Sequence, residues 1–166
     1  TESDNIALLG TMQKYADRGN HLITCVTEHK AILDTAKHLE SLGKKVTYLS
    51  VNEFGEIDLE ELEDAITDET VMISIMMANN EIGTIQDVKA IGEIAHRHDV
   101  IFHTDAAQAV GHITVNVEKM SIDLMSFSAH KMYGPKGVGA LYVRGVKPRV
   151  KPDGLFYGGG QERNIR

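Results

Sequence analysis

Apolar residues along this chain alternate between helical spacing and short continuous runs. Helical spacing, with apolar positions three and four residues apart, covers Ile6–Ala16, His29–Leu42, Asp58–Ile66 and Asp87–His98. Continuous runs typical of buried strands are HLITCV, KVTYLSV, TVMISIMM, DVIFHTD, IDLMSFS and GALYVR. We also predict a short helix over Ala106–Val110. Alternation of strands and helices predicts an α/β fold with a mainly parallel sheet flanked by helices.

Turn and capping residues mark the ends of several predicted helices. Gly19 and Gly43 follow the first two helical stretches, where glycine commonly ends a helix. Asp58 and Asp87 precede the next two and are predicted N-caps. We find neither internal repeats nor a low-complexity tract. These boundaries favour one continuous domain.

Charge and hydropathy argue against two classes of partner. With 17 basic and 24 acidic residues the formal net charge is −7, which is unfavourable for binding nucleic acid or an anionic membrane. No stretch reaches the roughly 18 apolar residues of a membrane span. The polar N-terminus lacks the pattern of a signal or transit peptide. We therefore expect neither a nucleic-acid partner nor a membrane partner.

Length, cysteine content and the two ends suggest part of a cytoplasmic protein. A chain of 166 residues is long enough for one domain with a substantial core. Cys25 is the single cysteine, so no internal disulfide can form, and a reducing compartment such as the cytoplasm fits best. The chain starts at Thr1 rather than Met, and its last residues show no closing helix or strand. We expect a longer parent protein.

Polar residues follow four predicted strands at the edge where ligands of α/β proteins bind. They are His29 after the first strand, Asn79 and Asn80 after TVMISIMM, Asp105 and Gln108 near the end of IFHTD, and Ser128, His130 and Lys131 after LMSF. A polar residue at one strand end is usually a cap or a turn former. Convergence of four ends favours a binding site.

This set of side chains suits pyridoxal 5′-phosphate (PLP). Lys131 supplies an amine that can condense with an aldehyde, and Asp105 supplies a carboxylate for a pyridinium nitrogen. Ser128, His130 and the helix that starts near Thr1 can hold a phosphate. On the residues alone, a PLP site is plausible without being the sole interpretation.

Six motifs in order resemble one family. They are TESDN, TEHKAIL, NNEIG, HTDAAQAVG, DLMSFSAHKMYGPKGVGALYVR and GGGQER. Together they cover nearly the whole chain and resemble the class V aminotransferases, with the closest similarity to NifS/IscS-type cysteine desulfurases. The resemblance implies the fold of the large domain of fold-type I PLP enzymes, with residues 1–166 as its central part.

The family resemblance also implies an activity. Such enzymes are homodimers that convert L-cysteine to L-alanine and carry the sulfur as an enzyme persulfide. The sulfur passes to an iron–sulfur scaffold or another acceptor protein. The family's persulfide cysteine, substrate-carboxylate arginine and partner-reaching threonine have no counterpart in these 166 residues. The 166 residues alone are therefore expected to be inactive.

Residue roles around the cofactor ring follow from the same resemblance. Lys131 is implied to bind PLP covalently, and Asp105 is implied to pair with the pyridine nitrogen. Gln108 and Asn80 are implied to hydrogen-bond the ring-oxygen side. His29 is implied to stack on the ring and to move protons, which makes Lys131 and His29 the catalytic pair.

The phosphate of PLP would have ligands of its own. By resemblance they are Thr1, Ser128 and His130. The glycine-rich start of the family's phosphate loop, which precedes TESDN in relatives, is not part of this sequence. The phosphate ligands are thus predicted to be incomplete.

Other residues that attract functional readings have ordinary explanations. Cys25 lies inside an apolar strand and is interpreted as a buried structural residue rather than the sulfur carrier. Lys136 lies in GPKGVG, which lacks the spacing of a nucleotide-binding loop, and reads as a turn lysine. His96 and His98 lack a further ligand at metal spacing, so no metal site is expected.

Alternative functions remain open on the sequence. A selenocysteine lyase, a cysteine sulfinate desulfinase or another class V enzyme would share the same motifs. A non-catalytic fold fragment is the alternative from a different class. The segment beyond Arg166, where the family carries its cysteine loop, would discriminate among these alternatives.

Overall fold

Six strands form one sheet in the order β2-β1-β3-β4-β5-β6. The computed structural model describes residues 1–165. The strands are β1 (His21–Cys25), β2 (Lys45–Leu49), β3 (Thr70–Ser74), β4 (Ile101–Asp105), β5 (Leu124–Ser128) and β6 (Gly139–Val143). The first five run parallel, and β6 pairs antiparallel with β5. The predicted α/β class with a mainly parallel sheet is confirmed.

Helices cover both faces of the sheet. The bounds are α1 (Glu2–Asn5), α2 (Thr11–Lys14), α3 (Lys30–Ser41), α4 (Leu59–Asp64), α5 (Val88–Arg97) and α6 (Gln161–Asn164). Within the described residues, none of the helices is both long and apolar enough to cross a membrane.

Alternation along the central strands divides the core into two layers. Leu22, Met72, Ile101 and Leu124 face the first helix and α3, where they pack with Leu8, Met12, Ile32 and Leu39. Their neighbours Ile23, Ile73, Phe102 and Met125 face α4 and α5. Because β1, β3 and β4 are buried along their whole length, both faces are apolar, as expected of central parallel strands.

The first helix is continuous but not uniform. α1 and α2 are joined by a π-helical segment, Ile6–Gly10. A side chain at Gly10 would clash with the carbonyl oxygen of Asp153. The Asp153 amide in turn donates to the Gly10 carbonyl at 3.0 Å. Glycine thus lets the chain at 150–154 pack directly on this helix.

Three local predictions differ from the structure. The last residues, predicted to lack a helix, include α6, in which Glu162 and Arg163 have left-handed φ and ψ. Residues Ala106–Val110 do not form a helix; they form a turn in which the Ala109 and Val110 amides both donate to the Ala106 carbonyl at 3.0 Å. The strand predicted over TVMISIMM ends at Ser74. Beyond Ser74, two backbone amides still donate hydrogen bonds to β4. Ile75 N–H donates to the His103 carbonyl at 3.2 Å, and Met77 N–H donates to the Asp105 carbonyl at 2.9 Å.

Candidate active site

The crevice of this sheet lies between β1 and β3. The connection through α3 leads from β1 outward to β2, whereas β3 continues through α5 to β4 on its other side. Ligands of open α/β sheets bind at such a reversal, outside the carboxyl ends of the strands. The predicted site residues follow β1, β3, β4 and β5, which are four adjacent strands. The carboxyl ends of these strands therefore lie at one edge of the sheet.

One face of the sheet becomes polar as the strands approach that edge. Two residues after the apolar set Leu22, Met72, Ile101 and Leu124 come Thr24, Ser74, His103 and Ser126, on the same face. His103 bonds Ser74 Oγ through Nδ1 and Ser126 Oγ through Nε2, both at 2.9 Å. Burial lowers the pKa of His103 to about 4, so its imidazole is neutral. This buried layer links three strands directly beneath the site.

Asp105 is the last residue of β4 and stands on the same face as His103. It is 7% exposed, and its Oδ1 accepts the Ala107 amide at 2.9 Å. Burial, and then the charge of Asp4 on α1, raise the Asp105 pKa to about 6. Asp4 is itself buried, with Oδ1 lying 3.9 Å from His103 Nε2. A cation placed opposite Asp105 would offset the repulsion between the Asp105 and Asp4 carboxylates.

His29 is the N-cap of α3 and lies four residues after the end of β1. Its Nδ1 accepts the Ala31 amide at 3.1 Å and so caps the helix. Because Nδ1 is an acceptor, the neutral imidazole carries its proton on Nε2. The ring is exposed. His29 therefore presents an N–H from a fixed position at the crevice.

Glu28, the residue before His29, is buried between the ends of β1 and β3. Its Oε1 accepts the Met76 amide at 2.6 Å and the Cys25 thiol at 3.4 Å. Asn79 Nδ2 also donates to the Thr27 carbonyl at 3.0 Å. Two hydrogen bonds therefore hold the β1–α3 loop against the segment that follows β3.

Lys131 lies in a 3₁₀ turn, Ala129–Lys131, directly after β5. Its Nζ has no hydrogen-bond or ion-pair partner within residues 1–165, and the side chain is half-buried. His112 Nε2–H donates to the Lys131 carbonyl at 2.7 Å. The Met132 and Gly134 amides close the turn on the Ala129 carbonyl at 3.0 and 2.9 Å. The backbone is thus held while the amine stays free to react.

The other predicted ligands differ in how firmly they are held. Ser128 Oγ and His130 Nδ1 share a 2.6 Å hydrogen bond beside Lys131. Thr1 precedes α1 and is exposed, with its carbonyl accepting from Asn5 Nδ2 at 2.9 Å. Gln108 is half-buried in the turn after β4. Ser128 ends β5 and Gln108 follows β4, both at the carboxyl edge of the sheet, and the charge of the Thr1 amino group acts on Asp105.

The two adjacent asparagines have different surroundings. Asn79 caps the turn after β3, since its Oδ1 accepts the Glu81 and Ile82 amides at 2.8 and 3.0 Å. Asn80 is exposed, and its side chain has no hydrogen bond within the described part of the chain. Asn80 is thus the one available to a ligand.

No functional role is predicted for Cys25, Lys136, His96 or His98, and the structure shows the surroundings of each. Cys25 is fully buried, and burial, followed by the Glu28 charge, raises its thiol pKa to about 12. Lys136 lies exposed in a turn. His96 Nε2 lies 3.0 Å from Asp123 Oδ2, and His98 Nε2 lies 2.8 Å from Glu63 Oε1.

Four polar residues near the site were not predicted. Glu28, Asp4, His103 and His112 received no role. The spacing of His103 and Asp105, two residues apart on one strand, was the available signal, because such residues share a face. No local pattern distinguishes Asp4, Glu28 or His112 from surface residues. Their positions depend on contacts between distant segments.

The fold is a mixed α/β architecture with polar residues at the carboxyl ends of adjacent strands, and comparison with known proteins identifies its family. The family model for aminotransferase class-V matches residues 1–165, and the chain belongs to this family. It is 58% identical over 166 residues to the cysteine desulfurase IscS of Neisseria meningitidis serogroup C / serotype 2a. All of this chain, but 41% of the relative, is aligned.

Solved structures agree with this family. One described as SspA in complex with cysteine matches with a TM-score of 0.93 and 45% identity, over 99% of this chain and 47% of that one. DndA from Streptomyces lividans matches with a TM-score of 0.90 and 38% identity, over 99% and 47%. The chain therefore spans less than half the length of these relatives. The predicted family resemblance is confirmed.

Proposed function

We propose that this chain is the PLP-binding part of a cysteine desulfurase, which releases L-alanine from L-cysteine and retains the sulfur as an enzyme persulfide. One observation carries the proposal. A buried carboxyl, Asp105, ends β4, and an amine without a partner among residues 1–165, Lys131, follows the adjacent strand β5. The cysteine desulfurase name of the 58% identical relative supports this substrate.

The residues present fit PLP. Its pyridinium is a cation that would stabilise the ionised form of Asp105, whose pKa is raised by burial and by Asp4. Its aldehyde suits the unpaired Lys131 amine. Ser128 and His130, joined by a hydrogen bond beside Lys131, offer donors for a phosphate. When bound, PLP supplies an electron sink for the substrate's bonding electrons.

The chain's own residues would then bind, orient and move protons. Asp105 would stay ionised opposite the ring nitrogen and keep that nitrogen protonated. His29, with its proton on Nε2, would lie over the ring, and Asn80 and Gln108 would hydrogen-bond the ring-oxygen side. Lys131 and His29 are the groups placed to accept or return substrate protons. Thr1 joins Ser128 and His130 as a phosphate ligand.

The rest of the reaction needs parts outside these 166 residues. The sulfur-accepting thiol is not Cys25, because that thiol is buried with a pKa of about 12. We assign it to the remainder of the parent protein, which works as a cytoplasmic homodimer and passes sulfur to an iron–sulfur scaffold or another acceptor. The residues 1–166 alone are proposed to be the central part of the large domain.

Two lysines five residues apart offer a matched test in the full-length protein. Lys131→Ala should abolish the visible absorption of bound PLP and lower alanine production by at least about a hundredfold, the scale of a lost proton-transfer group. Lys136→Ala, in an exposed turn, should keep both. Alanine production at the normal rate in Lys131→Ala would refute the assignment, and L-cysteine left unconverted by wild type would refute the activity.

A further inference from the structure

Glu28 is a buried carboxyl residue that has no role in the proposed function. It joins the two strands that border the crevice, since its Oε1 accepts the Met76 amide at 2.6 Å from the segment after β3. Its own backbone belongs to the loop that leaves β1 and starts α3 at His29. The sheet reverses its order between these strands. Glu28 thus fixes the spacing of the crevice at its centre.

A buried carboxyl is an energetically unfavourable group with which to join two strands. Glu28 is 6% exposed, and Oε2 is buried with no hydrogen-bond partner within residues 1–165. Burial raises its pKa to about 8, although the Met76 amide opposes the rise. Well-packed apolar side chains fill buried space at less cost than an unpaired carboxyl. A merely space-filling role does not account for it.

The surroundings of Glu28 are mostly acidic. The Cys25 thiol on β1 donates to it at 3.4 Å, and the carboxyls of Asp105 on β4 and Asp4 on α1 both repel its charge. Asp4 Oδ2 in turn lies 3.4 Å from the Thr1 amino group. No lysine or arginine pairs with Glu28 among the residues described. The carboxyl is therefore mainly protonated near neutral pH and acts as a neutral, directional acceptor.

His29 is held from both sides as a result. Its imidazole is fixed by the Nδ1 bond to the Ala31 amide at 3.1 Å, and its backbone is fixed by the preceding residue. Release of Glu28 from Met76 would free the loop between Cys25 and α3 at one of its two attachments. The other attachment is the Asn79 bond to the Thr27 carbonyl.

We propose that Glu28 is a positioning residue, which holds the loop so that the His29 imidazole lies over the cofactor ring. The proposal rests on the PLP function above and assigns to Glu28 the orientation of His29 rather than any contact with the reacting atoms. Its effect should therefore be seen in how PLP is bound, before any turnover.

The test uses the full-length protein that contains this chain. Glu28→Met keeps the side-chain length but removes the acceptor, whereas Glu28→Gln keeps an oxygen that can accept the Met76 amide. His21→Ala is the matched control. His21 is also buried and also joins strands, because its Nδ1 lies 2.8 Å from Thr70 Oγ1 and its Nε2 lies 2.9 Å from Thr47 Oγ1, at the opposite end of β1.

Glu28→Met should raise the dissociation constant for PLP about tenfold, the worth of one hydrogen bond to a buried polar group. Its visible circular dichroism, which reports how the ring is held, should weaken. Glu28→Gln should restore both signals toward wild type. His21→Ala should lower the urea midpoint comparably to Glu28→Met without changing either PLP signal. If Glu28→Met does not fold, Glu28→Ala, which adds no bulk, replaces it.

Three outcomes would overturn the proposal. Wild-type PLP binding in a folded Glu28→Met protein would show that the loop does not depend on Glu28. Equal losses of PLP affinity in Glu28→Met and His21→Ala would reduce the effect to general destabilisation. A failure of Glu28→Gln to recover would exclude the Met76 bond as the cause. These outcomes leave the desulfurase function intact, whereas wild-type protein that does not bind PLP would refute both.

Discussion

Asp105 is the residue at which the needs of folding and of PLP binding oppose each other. In the cofactor-free protein its charge is disfavoured by burial and by Asp4. A pyridinium opposite it would favour that same charge. The unfavourable environment of the carboxyl is therefore best explained as preparation for a cation.

A pH comparison on cofactor-free full-length protein tests this opposition. The Asp105 pKa rises from 3.8 to about 6 on folding, so the stability it contributes is complete below pH 4 and lost as pH rises through 6. Asp105→Asn avoids that loss. The variant should be more stable than wild type at pH 8 by roughly 3 kcal/mol, and nearly equal to it at pH 4.

Urea unfolding at the two pH values measures the difference. A gain of the same size at pH 4 and pH 8 would contradict the titration argument. The same variant should bind PLP more weakly. A gain in stability together with a loss of PLP affinity would show that this carboxylate destabilises the fold but serves the site. Asp99, with an exposed carboxylate, provides the control as Asp99→Asn.

The predictable residues at the site were those beside a strand end. Lys131 and Asp105 could be chosen because strand patterns identify the edge of a sheet. Glu28 could not, since its burial depends on the Met76 amide 48 residues away in the chain. A residue's charge state follows from tertiary contacts, which a local pattern does not contain.

Helix α3 connects local structure with the site, because one side chain both caps it and serves the crevice. His29 accepts the Ala31 amide, as an N-cap does. Histidine is not among the preferred N-cap residues, which are serine, threonine, asparagine and aspartate. Its presence there is better explained by the imidazole than by helix stability.

Two substitutions separate the roles of His29. His29→Ala removes the cap and should cost about 1 kcal/mol of stability, whereas His29→Asp restores a good cap and should match wild type or exceed it. Both should lose alanine production in the full-length enzyme. Thermal unfolding and turnover are the measurements, and full activity in the stable His29→Asp variant would remove the imidazole from the mechanism.

Elements with strong periodicity were predicted well, and those shaped by packing were not. The strands and α3 to α5 follow the apolar pattern closely. The turn at 106–110 lacks an apolar stripe long enough for a helix, although Asp105 accepts the Ala107 amide as an N-cap does, and the turn itself uses the Ala109 and Val110 amides. The π-helical segment Ile6–Gly10 leaves no trace in hydrophobic spacing, since its extra residue depends on contacts.

At the scale of the molecule, apolar side chains are exposed near the crevice. Phe54, Ile82 and Ile85 are 65%, 61% and 53% exposed. Gln86 and Thr84 hold their two loops together through the Gly55 and Phe54 carbonyls. An exposed apolar surface of this kind commonly marks a protein interface. A second copy is the occupant that the proposed homodimer supplies.

Ile82→Asp therefore tests the homodimer. In the full-length protein it should shift the dimer toward monomer, by at least about tenfold in dissociation constant, because a charge would be buried in an apolar contact. Sedimentation at several concentrations measures the shift. Leu42→Asp, at an equally exposed leucine that ends α3, is the control. A dimer unchanged by Ile82→Asp would place the interface elsewhere.

The link between Glu28 and Met76 has a further consequence for how the protein is made. During synthesis Glu28 is made 48 residues before Met76, so the hydrogen bond between them cannot form until the segment after β3 has also been made. In the nascent chain Glu28 is ionised, since its ordinary pKa is 4.5, but in the closed sheet it holds a proton at neutral pH. Completion of the crevice thus takes up a proton from solution, and acidic conditions favour that last step of assembly.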